Sequence, residues 1–177
     1  MMQDISTVWS EIKLHDFLAG LIPDKKGRCY DQILRRSNRY LEYCHDYIQE
    51  LFPTDSPSRF VSHAPVITAA QAAAWSSNDL IRLNMHNATE RMIRFYTTKN
   101  WRGKYQWLTP HNHNYKRISR ILHSLRMFGL DAEADLFYRC IMNIVSTNPG
   151  VVDDTTKAFW ATNNQKTARD PAVNMSI

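Results

Sequence analysis

A stripe of apolar residues spaced for one face of an α-helix is the feature that most constrains how this sequence can fold. Its members lie four and three positions apart, the interval that places side chains on one side of a helix. They are Ile81, Met85, Ala88, Met92 and Phe95. A helix with such a face has to bury it against other elements. Asn78, or Ser77 beside it, is the predicted N-cap.

Shorter stripes predict further helices on both sides of this one. The predicted segments are residues 5–19, ending near Gly20, then 30–34, 38–52, an Ala-rich helical turn after Thr68, 110–128, 131–145 and 151–162. No segment shows the alternation of a convincing strand. The sequence therefore predicts an all-α fold, a single compact helical domain of about six to eight helices.

Capping residues mark several of the predicted helix ends. Ser37 is a plausible N-cap for the segment that Pro53 stops. Thr68 and Gln71 have the spacing of a capping box. Three further predicted caps are Thr109 with Pro110 at the start of the 110–128 helix, Gly129 just after its end, and Asp131 before the next helix.

Length and composition favour one globular domain. The chain has 177 residues, 44% of them hydrophobic, with only five glycines and seven prolines. That is enough to bury a core and too few turn residues for a β-sandwich. We expect the domain to span residues 1–162, followed by a polar tail, 163–177, that is frayed.

The sequence predicts an intracellular protein. Its first residues, MMQDISTVWSEIKLHDF, lack the basic and apolar regions of a secretory signal. No stretch approaches the roughly 20 apolar residues of a transmembrane helix. The three cysteines, Cys29, Cys44 and Cys140, are odd in number and form no CxxC pair. We therefore expect a cytoplasmic location, or a nuclear or nuclear-envelope association in a eukaryotic host.

Positive charge is concentrated in one segment, residues 91–130. Nine of the 22 basic residues fall there and no Asp or Glu does, so the rest of the chain has 13 basic and 17 acidic residues. The nine are Arg91, Arg94, Lys99, Arg102, Lys104, Lys116, Arg117, Arg120 and Arg126. The whole net charge of +5 therefore comes from this segment.

One predicted helix face within this segment suggests a binding site. His113, Lys116, Arg120 and His123 are spaced by three, four and three, with Arg117 beside them. Guanidinium and ammonium groups in such a row can bind phosphate or carboxylate. The plainer interpretation is a solvated helix face with arginines paired to acids of another helix.

Nucleic-acid binding is the alternative function for the same segment. Aromatic residues lie among its cations, and rings beside positive charges are how single strands are often held. These residues are Tyr96, Trp101, Tyr105, Trp107 and Tyr115. Many of them would be equally suitable for the core, and no known nucleic-acid-binding motif accompanies them.

Catalytic, metal and cofactor motifs are not apparent. His111 and His113 form an HxH pair without acid or thiolate ligands at suitable spacing. His45 and Asp46 are adjacent, so on a helix they point about 100° apart, and Asp46 is better explained as a cap or ion pair. Phosphate-binding glycine loops and GxSxG are absent. We predict no catalytic residue, metal or cofactor, although an unrecognised enzyme stays possible.

Several motifs resemble the conserved domain of the opioid growth factor receptor family. They are HDYIQELFP at 45–53, SRF at 58–60, AP at 64–65, RMIRFY at 91–96, HNYKRISRIL at 113–122, and the FLAG and DKKG sequences between 17 and 27. The resemblance runs from about residue 15 to residue 161. Glu50 and Ser119 depart from the residues usual in the family.

The resemblance implies a peptide-binding role. Animal members of the family are associated with Met-enkephalin, with growth control and with the nuclear envelope. The family has no established catalytic residues. The motifs include polar residues that apolar packing does not explain: His45, Gln49, His113, Asn114, Arg117 and Arg120.

Two interpretations of these polar residues are open. They form a buried network that joins two helices, or they line a pocket for an acidic or polar ligand. The leading prediction is a non-catalytic domain that binds an acidic peptide, protein or anion through His113, Asn114, Lys116, Arg117, Arg120, His45 and Gln49. Replacing Arg117 and Arg120 by Ala should then abolish binding with little effect on unfolding. The sequence carries no signal for an oligomeric state.

Overall fold

The computed structural model describes residues 13–58, 61 and 63–165, and these residues form helices joined by turns and loops. In chain order the helices are α1 (residues 13–18), α2 (Tyr30–Leu34), α3 (Asn38–Tyr43), α4 (Ile48–Leu51), α5 (Ala69–Trp75), α6 (Asp79–Thr97), α7 (Asn114–Met127), α8 (Asp131–Ser146) and α9 (Asp154–Asn163). The predicted all-α fold is confirmed. Ile5, Val8, Trp9 and Ile12, from which most of the first predicted helix was inferred, lie outside the described residues.

The three longest helices form the centre of the domain. α7 packs against both α8 and α9, and α6 packs against α8. The apolar stripe of α6 is buried as predicted, with Ile81 and Met85 fully inaccessible. On α7 the buried face includes Ile118, Ile121 and Leu125. Each such aliphatic side chain contributes roughly 1.5–3 kcal/mol through its removal from water.

Most of the predicted caps are confirmed. The Ser37 hydroxyl accepts from the Tyr40 amide at the start of α3. Thr68 and Gln71 form the capping box of α5. Asn78 accepts from two amides of α6. Gly129 follows α7 with φ 65°, the left-handed conformation that glycine adopts without steric strain.

The predicted helix over residues 38–52 is wrong as a continuous element. α3 ends at Tyr43, Cys44 is extended with φ −88° and ψ 126°, and a separate turn, α4, begins at Ile48. The backbone carbonyls freed by this break are bonded by a side chain of α7. A contact between distant parts of the chain has therefore overridden the local helical pattern.

Three helix starts also differ from prediction. α7 begins at Asn114 rather than after Thr109, because His111 has a left-handed φ of 57° and the Thr109 carbonyl accepts from the Tyr115 hydroxyl at 2.7 Å. Asp131 is the first residue of α8 and its carboxylate pairs with Arg126 instead of capping. α9 begins at Asp154, after an Asp153 cap.

Among the residues described, β-structure is limited to isolated bridges, Thr54 with Val66 and Lys99 with Tyr105. No helix in this part of the chain is long and apolar enough to cross a membrane. The predicted tail from residue 163 falls outside the described region after residue 165, so its frayed state stays a prediction.

Candidate functional site

Arg117, in the first turns of α7, lies beneath the break between α3 and α4. Its side chain is only 5% exposed. One guanidinium nitrogen donates to the Leu41 carbonyl at 2.7 Å, and the other donates to the Cys44 carbonyl at 2.8 Å. The last carbonyls of a helix have no partner within the helix. Arg117 therefore supplies a C-terminal cap for α3 from another helix.

Asn114 and Glu42 extend this arrangement into a buried network. The Asn114 amide nitrogen donates to the Glu42 carboxylate at 3.0 Å. Its oxygen accepts from Arg117 at 3.3 Å and from the Tyr96 hydroxyl at 3.4 Å. Buried charges are costly unless they are bonded and balanced, and here the Arg117 cation and the Glu42 anion share one bridging amide.

Two histidines form the exposed side of the network. The His45 and His113 rings are 5.0 Å apart between centroids, at an angle of 64°. Arg117 lies 3.2 Å from Nδ1 of His45. Because a guanidinium only donates, Nδ1 accepts, and in the neutral ring the proton is on Nε2. His113 lies above the Glu42 carboxylate, 3.7 Å away.

His113 is held in its neutral form more strongly than an ordinary histidine. Partial burial lowers its pKa, and the nearby Arg117 cation lowers it further. Glu42 opposes this effect without outweighing it. At neutral pH His113 is therefore an uncharged imidazole, which can both donate and accept hydrogen bonds.

Lys116 and Arg120 continue the predicted stripe along α7. Lys116 is exposed, next to His113 on the helix surface. Arg120 is half-buried and donates to the Phe52 carbonyl at 3.3 Å, and burial lowers its pKa. Farther along, His123 bonds the Asp55 carboxylate at 2.8 Å. The far half of the stripe thus contacts the loop after α4.

Gln49 makes no hydrogen bond to these residues in the part of the chain that the structure describes. It lies on α4 and is buried, at 7% exposure. Its side-chain oxygen has no hydrogen-bond partner within the described part of the chain. The structure therefore brings together His45, His113, Asn114 and Arg117, and it puts Lys116 beside them, but no hydrogen bond among the described residues joins Gln49 to this group.

An ion-pair cluster lies beside the network and contains Asp46, as predicted. Arg28 bonds Asp24 at 2.6 Å and Asp46 at 2.7 Å, and Lys26 also pairs with Asp46. Burial alone would raise the pKa of Asp46, but the bonds from Lys26 and Arg28 hold it well below its usual value. The cluster fixes the segment that carries His45.

The nine cations of residues 91–130 do not form one surface. Arg91, Arg117 and Arg126 are buried. Arg91 donates to the Leu34 and Arg36 carbonyls at the end of α2, which repeats the capping role of Arg117 at α3. Arg126 pairs with Asp131 and Asp135. Clustering along the sequence therefore did not reveal which cations face solvent.

Comparison with known proteins places the chain in a family. The model of the opioid growth factor receptor conserved region matches residues 21–174. The chain belongs to this family. Curated relatives named opioid growth factor receptor are 34% identical in rat, 34% in mouse and 33% in human, each over 104 residues. No solved structure matches.

The relatives are much longer than the part they share with this chain. The matched region is 51% of this chain but 18% of the rat receptor, 16% of the mouse receptor and 15% of the human receptor. The comparison therefore identifies only the conserved region that this chain shares with those receptors. What the complete receptors do is not thereby established for this chain.

Two motifs of the opioid growth factor receptor conserved region meet at the network. HDYIQELFP contributes His45, and HNYKRISRIL contributes His113, Asn114 and Arg117. Glu42 and Tyr96 were not anticipated as members. A buried arginine needs a counter-charge nearby. Glu42 is the last acid before the first motif, so this requirement is the signal that could have identified it.

The surface of the site carries groups that can form hydrogen bonds and an ion pair with a ligand. His45, His113 and Lys116 offer hydrogen-bond donors and one cation at the surface, above a buried polar support. Among residues 13–58, 61 and 63–165, no group of three or more His, Cys, Asp or Glu side chains is arranged to hold a metal ion. The geometry suits a carboxylate-bearing ligand that approaches from solvent.

Proposed function

We propose that this chain is a non-catalytic binding domain that captures a carboxylate-bearing peptide or protein segment. The binding surface is the histidine face, defined by His45, His113 and Lys116. The observation that carries the proposal is the contact of the two exposed imidazoles, 5.0 Å apart, over buried Arg117. Side chains from two distant parts of the sequence are thus brought around one small area.

Preorganisation is the physical argument for binding at this face. Binding is weakened when side chains lose rotamer freedom, by roughly 0.5–1.5 kcal/mol for each one immobilised. Here the bond from Arg117 already restrains His45, and Glu42 lies close to His113. A ligand therefore meets donors whose positions are largely set before it arrives.

The charge pattern favours an anionic ligand. With Nδ1 of His45 occupied by Arg117, the N–H on Nε2 is the group left to donate outward. Lys116 adds a full positive charge at the surface. A carboxylate accepts from both kinds of donor, and such charge-assisted bonds are stronger than neutral ones.

Arg117 and Arg120 have a supporting role in this proposal, in contrast to the ligand contact that the sequence suggested. Arg117 donates to backbone carbonyls and to His45. Arg120 donates to the loop after α4. Both therefore position the histidine face from behind. The relatives' name, opioid growth factor receptor, supports a receptor-type role for the face.

The proposal is tested by titrating isotope-labelled protein with peptides and following imidazole and backbone NMR signals. The probes are Met-enkephalin, the same peptide with its carboxylate converted to an amide, and hexaglutamate. We expect signals of the histidine face to shift with a free carboxylate. The amide should bind about ten-fold more weakly, which corresponds to the loss of one charge-assisted bond.

A matched pair of variants separates this surface from general effects. His45→Ala with His113→Ala should weaken binding of hexaglutamate. His63→Ala with His86→Ala, which removes exposed histidines elsewhere, should not. The proposal is wrong if no peptide shifts the histidine face, or if both double variants lose affinity equally.

Nucleic-acid binding by the whole 91–130 segment has weaker support. Three of its nine cations are buried, and Arg120 is half-buried against a loop. The exposed charges that remain outside the histidine face lie mainly between α6 and α7, at Lys99, Arg102 and Lys104.

A further inference from the structure

The connection after α6 starts with a tight turn, which we call the basic hairpin (residues 99–105). An antiparallel bridge joins Lys99 to Tyr105. The Asn100 amide donates to the Lys104 carbonyl at 2.8 Å, and its side-chain oxygen accepts from the Arg102 and Lys104 amides. Gly103 takes the left-handed φ of 71° that closes the turn. The hairpin is thus rigidly held by its own backbone and Asn100.

An unusually exposed tryptophan lies at the tip of the basic hairpin. Trp101 is 86% exposed, the highest value among the large exposed apolar side chains in the described region. The Arg102 guanidinium lies 4.5 Å from the centre of its ring. The Lys99 ammonium lies in the same way over Tyr105, at 5.2 Å. A flat apolar ring is therefore displayed to solvent among cations.

The start of α3 adds to the same surface. Asn38 lines a cleft of about 150 Å³ together with Lys99, Asn100 and Gln106 of the connection. Within the part of the chain that the structure describes, no carboxylate pairs with Lys99, Arg102 or Lys104. The positive charge of this surface is therefore not neutralised locally.

We infer that the basic hairpin and the start of α3 bind single-stranded nucleic acid. A base stacks on the free face of Trp101, and Lys99, Arg102 and Lys104 contact the phosphates on either side. The amides of Asn38 and Gln106 line the adjoining cleft, where they offer hydrogen bonds to a second base or its sugar. Stacking on exposed rings within a basic surface is how unpaired strands are held without sequence preference.

Competing ligands fit this surface less well. A duplex hides the faces of its bases, so it could use the cations but not the indole. A membrane surface would be expected to meet several apolar side chains, whereas the residues adjoining Trp101 in the hairpin are polar or charged. An unpaired strand uses the ring and the charges together. This inference concerns a different surface from the histidine face and does not depend on it.

The test is fluorescence anisotropy with a labelled 20-nucleotide oligo(U) RNA, the corresponding oligo(dT), and a DNA duplex. Both single strands should bind at low salt, more tightly than the duplex. Trp101→Ala should weaken single-strand binding roughly five-fold or more, and Trp101→Phe should restore part of it. Lys99→Ala with Lys104→Ala should reduce the slope of log affinity against log salt by about 0.7 for each phosphate that the protein no longer neutralises.

Exposed residues elsewhere provide the controls. Phe159→Ala removes another exposed ring, and Arg82→Ala with Arg139→Ala removes two exposed cations, so neither should change binding. The inference is overturned if neither single strand binds at low salt, or if the controls weaken binding as much as the hairpin variants. It is also overturned if vesicles containing phosphatidylserine bind and the oligonucleotides do not.

Discussion

Arg117 donates to the backbone carbonyl of Leu41 at 2.7 Å, across 76 positions of the sequence. A six-residue helix such as α3 is too short to be stable on its own. Its last carbonyls also lack partners within the helix. The long helix α7 thus stabilises the short one by bonding to its end. Arg91 of α6 does the same for α2.

Replacing Arg117 should destabilise the fold, which is the opposite of what the sequence alone suggested. Arg117→Ala leaves buried carbonyls unbonded and the Glu42 carboxylate without its counter-charge. We expect a loss of about 3–5 kcal/mol in the free energy of unfolding, measured by urea denaturation. Arg139→Ala, which removes an exposed cation on α8, is the control and should change it by less than about 0.5 kcal/mol.

Trp160 should be among the most important core residues of the C-terminal part. It is fully buried, and its indole N–H donates to the Tyr115 carbonyl at 3.0 Å. Trp160→Ala should reduce the free energy of unfolding by about 3–5 kcal/mol. The neighbouring Phe159 is 59% exposed, so Phe159→Ala should have little effect. Equal losses in thermal or urea denaturation would contradict the packing of α9 against α7.

Asp46 should make the fold sensitive to acid. Its pKa is lowered in the folded state, so its contribution to stability is complete above the ordinary carboxyl pKa of about 3.9 and is lost as pH falls towards the folded value. Asp46→Asn should therefore be less stable at pH 7. It should also show a flatter fall in unfolding free energy below about pH 4. Parallel curves for the two proteins would contradict this prediction.

His113 should titrate below an ordinary histidine. Burial and Arg117 lower its pKa from 6.5, so the unfolded chain takes up this proton first as pH falls. The associated stability is present above pH 6.5 and decreases towards the folded-state pKa. The effect is small because the side chain is 41% exposed. NMR titration of the imidazole is the measurement, and a midpoint at or above 6.5 would contradict the prediction.

The sequence predicted what depends on local pattern. The stripe of α6 and the caps at Ser37, Thr68 and Asn78 were identified from residues a few positions apart, and the structure contains them. The break after Tyr43 could not be identified in this way, because the group that bonds the freed carbonyls is Arg117, far along the chain.

In the candidate site, too, the sequence identified the residues but not the way in which they are arranged. The motifs pointed to His45, His113, Asn114 and Arg117, and the structure brings these four together. Periodicity assigned Arg117 to a polar face, yet it is 5% exposed. A long side chain can extend under a neighbouring element, and spacing along a helix does not record which neighbour is there.

The bond from Arg117 to Leu41 also sets an order of events during synthesis on the ribosome. The residues of α3 leave the ribosome well before Arg117 has been made, so the end of α3 has no cap until α7 has been synthesised. Any nascent chain or proteolytic fragment that stops short of α7 exposes those carbonyls to water and leaves the end of α3 without its cap. A minimal version of this domain therefore cannot be obtained by keeping its first half.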